Sequence, residues 1–516
     1  MRRRRITGAF PAANREPMDF FLGVDIGTLA SKAVLVHEDG TVVCSLSDEH
    51  AVEHPQPGWA EHDPEQVWWN GFVALVRRVL ALSAVEPRAI AGIGLCGAFP
   101  SPCLADAAGR PLGPAILYSD NRAEKILREL NDRHGLSLTG DDITPRLVWI
   151  QRHRPEEFAR GRRIFNVNSY VGFRLTGTYG VDYGMATWFG GLYSHALGGW
   201  DEVMAADLGI PIEWLPPILP ADAVTGTVTG WAAKETGLAK GTPVVAGTGD
   251  MYLAMLGTGA VEPGEAIVYY GTAGLLLRGI RPIAQVFGRP FLSEPGELAV
   301  LAAYVQASGE AVHWFAEMIN PDSQASTEGG YTERYASLDE RAARISPGSD
   351  GVLVMPHFLG ERSPGFRPEA RGCIYGLRPH HSQGHVFRAI LEAFGFAIRH
   401  ALLETPPGPP GLGRLYAIGG GARSPLWRQV VSDILQREQV YIPKASGALG
   451  AAFLAGVGCG RFTDFGQIRE FWLDEKEDCG PRVELASVYD EKFSAYLDLY
   501  ETLESMNGAS RRIGRG

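Results

Sequence analysis

One acidic residue, Asp250, stands between two apolar segments, directly after Gly247-Thr248-Gly249. The two glycines interrupt a run of apolar residues, and a carboxylate at such a break either caps a turn or takes part in chemistry. Taken alone, turn capping is the simpler interpretation. A chemical role would need other reactive groups elsewhere in the chain, and three glycine-rich segments supply candidates.

The dipeptide Gly-Thr occurs twice between two apparent strands, as Gly27-Thr28 in VDIGTLASKAVL and as Gly271-Thr272 in YYGTAGLLLRG. Glycine lets backbone N–H groups come close to an anion, and threonine adds a hydroxyl donor, so each corner could bind phosphate. Lys32 follows Thr28 closely enough to reach the same anion. The repeat indicates either a duplicated domain or the chance recurrence of a common turn dipeptide.

Asp25 lies just before the first corner. A carboxylate at this position would repel phosphate unless a cation lies between them. We therefore predict Asp25 as an Mg²⁺ ligand that acts through water, because Mg²⁺ keeps several of its waters in protein sites. A turn-capping aspartate is the alternative.

The third segment is IGGGARSPLW, in which three glycines follow an apolar strand and Ser424-Pro425 opens an amphipathic helix. Glycines allow a flat ligand such as adenosine to lie against the backbone. We assign this role to Gly420, Gly421 and Ala422, with Ser424 beside them. No lysine in the chain follows a glycine, and GxGxxG spacing is absent from this segment, so phosphate binding requires an architecture other than a P-loop or a dinucleotide fold.

Hydrophobic patterning predicts the elements that position these groups. Short strands are expected near residues 20–24, 33–37, 41–43, 89–95 and 242–246. A helix over about 64–84 should begin with Asp63 as its N-cap and Pro64 in its first turn.

Length and composition limit the function classes. A chain of 516 residues needs at least two hydrophobic cores. The formal net charge of −11 argues against general nucleic-acid or anionic-membrane binding. The arginine-rich start lacks a following apolar region, no membrane-span pattern occurs, and the six cysteines lack metal-ligand spacing. These features predict a cytoplasmic protein with reduced thiols.

Together the segments resemble the FGGY family of carbohydrate kinases, in its xylulokinase-like branch, within the actin/hexokinase/Hsp70 superfamily. DIGTLASK resembles the family's first phosphate motif, YYGTAG the second, and GGGARSPLW the adenosine motif. GCIYGLRPHHSQGHVFRAILE resembles the C-terminal signature, and GALGAAFLAG resembles the last domain helix. The resemblance covers about residues 20–472.

The resemblance implies an α/β fold with two ribonuclease H-like (actin-like ATPase) domains flanking a deep cleft. Residues 19–258 would form the N-terminal domain, on the sugar side, and 259–505 the C-terminal domain, on the adenosine side. A disordered basic extension, 1–18, and a tail, 506–516, would flank them. The implied reaction is phosphorylation of a pentulose-type sugar or polyol hydroxyl by MgATP, with Asp250 as general base. Homodimers are common in the family.

The sequence departs from the family pattern on the sugar side. Met251 stands where pentulose kinases have Asn or Gln, and Gly97-Ala98-Phe99-Pro100-Ser101 replaces Gly-Gln-x-His-Gly. The family's Trp-x-Asp-x-Arg is Tyr118-Ser119-Asp120-Asn121-Arg122, and Arg146 replaces a lysine. The substrate-binding residues implied by the resemblance are Tyr118, Asp120, Arg122, Ala98, Phe99 and Met251.

Several alternatives follow from these departures. Asp120 and Arg122 either bind the sugar or form a structural salt bridge. The whole chain is either a kinase for a sugar or polyol, with a less hydroxylated or differently branched polyol than xylulose among the candidates, or a non-catalytic, nucleotide-dependent sugar-binding regulator. His54, His62 and His357 are predicted to be surface or loop residues rather than ligands.

Overall fold

The computed structural model describes residues 20–279, 283, 287, 299–319, 333–365, 367, 369–404 and 411–513. The chain divides into two compact units. Unit 1 comprises Met1–Val181, Ile210–Thr248 and Ala451–Phe462, and unit 2 comprises Asp182–Gly209, Gly249–Gly450 and Thr463–Gly516. The predicted extension 1–18 lies outside the described residues.

Unit 1 is built on a mixed sheet. Its strands are β1 (Phe20–Ile26), β2 (Ala30–His37), β3 (Val42–Glu49), β4 (Ile90–Gly97), β5 (Val224–Thr227) and β6 (Pro243–Val245). They lie in the order β5-β6-β4-β1-β2-β3. The strands β1, β2 and β3 form an antiparallel meander, β1 runs parallel to β4, β4 runs parallel to β6, and β5 closes the edge antiparallel to β6.

Unit 2 contains a sheet with the same topology. Its strands are β7 (Ala266–Tyr270), β8 (Gly274–Gly279), β9 (Ala299–Val305), β10 (Leu415–Ile418), β11 (Gln439–Tyr441) and β12 (Glu477–Cys479). They lie in the order β9-β8-β7-β10-β11-β12, with the same strand orientations as their counterparts in unit 1. Each Gly-Thr corner joins the first two strands of its meander. This shared position favours the duplicated-domain interpretation over chance.

Helices accompany both sheets. Those described are α1 (Gly71–Ser83), α2 (Glu124–His134), α3 (Thr144–His153), α4 (Pro155–Arg160), α5 (Val167–Thr176), α6 (Tyr183–Ala186), α7 (Glu202–Leu208), α8 (Gly230–Thr236), α9 (Asp250–Thr258), α10 (Ser308–Ile319), α11 (Glu333–Ala343), α12 (Gln383–Glu404), α13 (Pro425–Leu435), α14 (Gly447–Gly458), α15 (Gln467–Phe471) and α16 (Ala486–Ile513). The last helix runs into the segment 506–516 that was predicted to be a tail.

Further short elements complete the described secondary structure. Two-stranded pairings occur at Glu61–His62, Cys103–Ala105, Ala115–Ile116, Arg163–Phe165, Val181–Asp182, Tyr193–Ser194, Gly199–Trp200, Ile218–Leu219, Leu353–Met355 and Cys373–Tyr375, and the short strand Thr248–Gly249 pairs with β4. Single 3₁₀ turns lie at Pro87–Ala89, Ile212–Trp214, Ser349–Gly351, Gly420–Arg423 and Val483–Leu485.

The predicted helix over 64–84 begins with a π-helical segment, Pro64–Asn70, that continues into α1. The Asp63 carboxylate caps it by accepting the Glu65 and Gln66 N–H groups at 2.8 and 3.1 Å. The residues that α1 buries, among them Phe72 and Val76, join strand residues such as Leu22 in the core of unit 1. Capping and apolar periodicity therefore placed this helix correctly.

All six cysteines are free thiols. Within the part of the chain that the structure describes, no helix has both the length and the apolar character needed to cross a membrane.

Candidate active site

The first Gly-Thr corner presents backbone donors. The Gly27 N–H is used inside the hairpin, where it donates to the Ala30 carbonyl at 2.9 Å. The Leu29 carbonyl accepts the His50 N–H, also at 2.9 Å. No described residue accepts a hydrogen bond from the Thr28 or Leu29 N–H. These two donors are therefore the ones that an anion could meet at this corner.

Asp25 lies at the end of β1 and pairs in register with Lys32 on β2. The Cys96 thiol donates a hydrogen bond to the Asp25 carboxylate, whose Oδ1 is buried and has no hydrogen-bond partner. Burial raises the pKa of Asp25, and the Cys96 hydrogen bond and the Lys32 charge oppose that shift. A buried oxygen without a partner is the type of group that holds a metal-bound water, so the residues present fit Mg²⁺.

His62 is fully buried and lies on the short strand Glu61–His62, so the prediction that it is a surface or loop residue is wrong. It lies directly before the helix cap Asp63. Its Nε2 is 3.0 Å from the Thr28 carbonyl oxygen, and its Nδ1 accepts the Trp68 indole N–H at 3.2 Å. His357 is buried but lies in a loop, and His54 lies in a loop and is exposed, so the prediction of a surface or loop residue is confirmed for both.

The burial of His62 predicts acid-sensitive folding. Burial, followed by repulsion from His50, lowers the pKa of His62 to about 4 from its ordinary value of 6.5, against an opposing hydrogen bond to Thr28. The neutral ring is favoured in the folded state, so the stability it contributes is present above pH 6.5 and is lost as the pH falls towards 4. The loss is at most about 3 kcal/mol. Urea titrations between pH 7 and pH 4 should show this slope, and the non-titrating H62Q variant should lack it; equal slopes would contradict the assignment.

Ala98 and Phe99 follow β4 and are buried, with exposed fractions of 1% and 6%. The Ala98 N–H donates to the Ile26 carbonyl at 2.8 Å, and the Ala98 carbonyl accepts the Ser101 hydroxyl at 2.8 Å. Because β1 and β4 are parallel neighbours, their carboxyl ends bring Ala98 beside the Asp25–Thr28 segment. Ala98 and Phe99 contribute no polar side chain there.

Asp120 and Arg122 form a buried ionic cluster. The Arg122 guanidinium donates to both Asp120 oxygens at 2.8 and 2.6 Å, and to Glu61 Oε1 at 2.6 Å. Asp120 also accepts the Ala60 N–H at 2.6 Å. The guanidinium carbon lies 3.6 Å from the centroid of the Trp59 ring. This geometry favours the salt-bridge interpretation, because the cluster uses both oxygens of Asp120.

Tyr118 is held through its backbone. Arg146, on α3, is buried and donates from Nη2 to the Tyr118 carbonyl at 2.9 Å, and to the carbonyls of Leu117 and Gly140. Burial lowers the pKa of Arg146 to about 10. The arginine that replaces the family's lysine therefore supports the backbone of Tyr118, a predicted sugar-side residue, by donating several hydrogen bonds at once.

In unit 2, Asp250 is the first residue of α9. Its Oδ1 accepts the Met251 N–H at 2.8 Å. The positive end of the helix dipole favours a negative charge at this position. The Met251 N–H is thus engaged by Asp250, and the Met251 side chain is partly buried.

The second corner contacts the start of α10. The Gly309 N–H donates to the Gly271 carbonyl at 2.9 Å, and the Glu310 N–H donates to the Thr272 carbonyl at 3.1 Å. A Cβ added at Gly309 would lie 2.4 Å from the Gly271 oxygen, so this close approach requires glycine. The first N–H groups of a helix have no acceptor within the helix, and in α10 two of them donate to the carbonyls of this corner.

Two of the three glycines in the predicted adenosine segment have packing roles. Gly419, at φ +96°, lies against the Tyr270 backbone, and Gly421 lies against the Trp427 ring. Gly420 is exposed, with no atom within 4 Å of an added Cβ. Because β7 and β10 are parallel neighbours, this segment lies beside the Gly271 corner.

The other two predicted nucleotide-binding residues of that segment, Ala422 and Ser424, are buried. Ala422 has no exposed surface. The Ser424 hydroxyl donates to Asp339 at 2.5 Å and accepts the Trp427 N–H at 3.0 Å, which caps α13. The predicted nucleotide contact at Ser424 therefore competes with a capping role.

A cluster on unit 2 has the composition of a metal site. Donor atoms of Asp350, His380 and His381 lie within 4.8 Å of one another. However, the Arg378 N–H donates to His381 Nδ1 at 3.0 Å, so a neutral His381 carries its proton on Nε2, which faces Asp350 at 3.2 Å. The cluster is therefore satisfied by hydrogen bonds without a metal.

Comparison with known proteins identifies the family. The model for the N-terminal domain of the FGGY family of carbohydrate kinases matches residues 20–257, and the model for its C-terminal domain matches residues 266–459. The chain belongs to the FGGY family of carbohydrate kinases. The resemblance stated from the sequence is thus confirmed, as is the two-domain α/β fold of actin-like ATPases.

Individual FGGY kinases align along nearly the whole chain. Gluconokinase from Bacillus subtilis is 31% identical over 511 residues, covering 94% of this chain and 96% of that protein. Xylulose kinase from Escherichia coli is 31% identical over 458 residues, covering 85% and 90%. The crystal structure of xylulose kinase from Rhodospirillum rubrum superposes with a TM-score of 0.80 at 30% identity, covering 95% of this chain and all of that one. The protein is therefore a carbohydrate kinase, and membership of this family implies that it uses a nucleotide.

Proposed function

We propose that this FGGY kinase transfers the γ-phosphate of ATP to a hydroxyl group of a sugar, polyol or aldonate, with Asp250 as the general base. The observation that carries the proposal is the retention of Asp250, at the first position of α9, in a chain that matches both family domains. A residue at the start of a helix is held by the backbone, which gives the carboxylate the fixed direction that proton transfer requires.

In the proposed reaction, the substrate hydroxyl attacks the γ-phosphorus and its proton passes to the Asp250 carboxylate. The bond between the γ-phosphorus and the β–γ bridging oxygen breaks, and ADP leaves. Donors at Thr28, Leu29 and Thr272 would bind phosphate oxygens, with Lys32 adding a positive charge. Of the three glycines in the adenosine segment, Gly420 is the exposed one, so the adenosine would lie against it. Phosphoryl transfer relies on such positioning and charge neutralisation rather than on covalent catalysis.

Asp25 would hold Mg²⁺ through water, and the bound ion would neutralise charge on the triphosphate. Mg²⁺ should raise the affinity for ADP in the wild-type protein. We expect D25N to reduce that gain in affinity by about tenfold or more, because residues that orient metal-bound ligands contribute on that scale. Calorimetric titration of ADP at several Mg²⁺ concentrations measures this effect. D39N is the matched control, since Asp39 is an exposed turn residue of the same unit. Equal Mg²⁺ dependence in both variants would rule out Asp25 as the metal-holding residue.

The relatives and the sugar side of the chain support a proposal for the substrate class. The named activities of relatives at 31% identity include a gluconokinase and a xylulose kinase. Ala98, Phe99 and Met251 offer no strong hydrogen-bonding side chains. We therefore place gluconate and other aldonates beside the pentuloses as first candidates. A coupled ADP-release screen over aldonates, pentuloses, hexuloses, tetritols and pentitols tests this, with ADP expected only in the presence of the right acceptor.

The same screen separates a kinase from a regulatory paralogue. A regulator would be stabilised against heat by a sugar and a nucleotide but would form no phosphorylated product. Thermal-shift measurements on the compounds of the screen supply that comparison. Stabilisation without ADP release, for every acceptor, would replace the proposed function with a binding role.

A further inference from the structure

We propose that His62 is a positioning residue that fixes the Gly27-Thr28 corner in its phosphate-binding conformation. This inference rests on the proposed function, since it assigns the corner to nucleotide phosphate. Its geometric part, the restraint of one peptide group, holds in the ligand-free protein and can be tested there.

Hydrogen bonding determines which nitrogen of the neutral His62 ring carries the proton. The Trp68 indole can only donate, so His62 Nδ1, 3.2 Å from the indole nitrogen, must accept. In a neutral imidazole the proton then lies on Nε2, which faces the Thr28 carbonyl oxygen at 3.0 Å. The ring is fully buried, as is Trp68, so water does not compete for either bond. The hydrogen bonds therefore run in one direction: the Trp68 indole donates to His62, and His62 donates to the Thr28 carbonyl.

The anchored carbonyl determines where the next amide points. In a trans peptide the C=O and N–H groups point in opposite directions. When the Thr28 carbonyl points at His62, the Leu29 N–H points away from it, and no described residue accepts a hydrogen bond from that N–H. Rotation of this peptide would turn the carbonyl dipole towards a bound phosphate and remove a donor. His62 thus keeps the corner complementary to an anion.

The carbonyl groups of the second corner are also held by hydrogen bonds, but from different donors. In unit 2 the carbonyls of Gly271 and Thr272 are both held by N–H groups from the start of α10. In unit 1 the Leu29 carbonyl is held by the His50 N–H, and the Thr28 carbonyl is held by a side chain, His62. Restraint of the corner carbonyls is therefore common to the two duplicated sheets. The first corner alone depends on a residue that can be substituted without altering the backbone.

Two variants at position 62 distinguish positioning from packing. Glutamine can reproduce both bonds, because its amide oxygen can accept from Trp68 while its NH₂ donates to Thr28. Phenylalanine fills a similar volume and makes neither bond. We expect H62F to weaken calorimetric binding of MgADP and MgATP by about tenfold, the usual scale for one hydrogen bond, and H62Q to restore it to within about twofold. The KM for the sugar should stay constant in both.

Hydrogen exchange of the Gly27 amide, which donates to the Ala30 carbonyl across the corner, gives a readout in the ligand-free protein that needs no activity. H62F should raise exchange at this amide, and H62Q should not. If H62F fails to fold, as judged by circular dichroism, H62N takes its place. The asparagine side chain is shorter than that of glutamine, so its amide cannot bridge Trp68 and Thr28. Equal nucleotide affinity in H62Q and the disruptive variant, or an equal loss of sugar affinity, would overturn the proposal. Failure of the proposed function alone would abolish wild-type nucleotide binding but leave the exchange difference intact.

Discussion

Replacing Asp250 with asparagine is expected to lower kcat by roughly two to four orders of magnitude, the usual contribution of a general base. Asparagine keeps the size of the side chain and its bond to the Met251 N–H, but it cannot take a proton from the attacking hydroxyl. Nucleotide and sugar affinities should change little, because the loss falls on the transition state. Steady-state ADP release, with calorimetric binding of both substrates, measures the two parts separately.

The matched control is D201N. Asp201 also begins a helix of unit 2, where it caps α7 by accepting the Met204 N–H at 2.9 Å, and asparagine is an equally good cap. D201N should retain wild-type turnover. If D250N also retained it, Asp250 would not be the base. If D250N lost nucleotide binding as well as turnover, its role would be structural.

The second large effect is expected on stability, from Arg122→Met. The side chains of Arg122, Asp120 and Glu61 are 1%, 0% and 5% exposed, so removing the guanidinium leaves two buried carboxylates without their main partner. Breaking a buried ion pair in this way costs about 3–5 kcal/mol. Arg154 still pairs with Glu61 at 3.0 Å, which places the expected loss towards the lower end of that range. Urea unfolding of the ligand-free protein measures the loss.

R152M serves as the comparison for R122M. Arg152 makes a bidentate pair with Glu129, but these side chains are 40% and 45% exposed, so its removal should cost less than about 1 kcal/mol. Similar losses in the two variants would show that the buried cluster contributes no special stability. If R122M instead kept its stability and lost sugar affinity, the alternative interpretation, direct sugar binding by Arg122, would be correct.

The glycine-rich segments were predictable because their signal is local. A Gly-Thr corner between two apolar runs is determined by a few neighbouring residues, and the same is true of the Asp63 cap. Parallel pairing of β1 with β4, and of β7 with β10, then brings distant segments to one edge of each sheet. The repeated corner was visible in the sequence, whereas its identical place in two sheets of the same topology became visible only in the structure.

The role of His62 could not be read from local pattern. Its partners are an indole six residues onward and a carbonyl 34 residues earlier, and a hydrogen bond over the second distance leaves no periodicity in the sequence. The Glu61–Arg122 bond spans 61 residues and is hidden for the same reason. Ser424 shows a different difficulty. Its place before Pro425 correctly identified a helix start, but the sequence did not show that capping already uses the hydroxyl that was assigned to the nucleotide.

The central claim is that this chain phosphorylates a carbohydrate hydroxyl at the expense of ATP. Phosphorus NMR of the reaction with the acceptor that gives the strongest ADP release in the screen tests it most directly. We predict one new phosphomonoester signal that grows in step with ADP, without free phosphate, and that is nearly absent with D250N. ADP accompanied only by inorganic phosphate, or no nucleotide turnover with any acceptor, would contradict the claim.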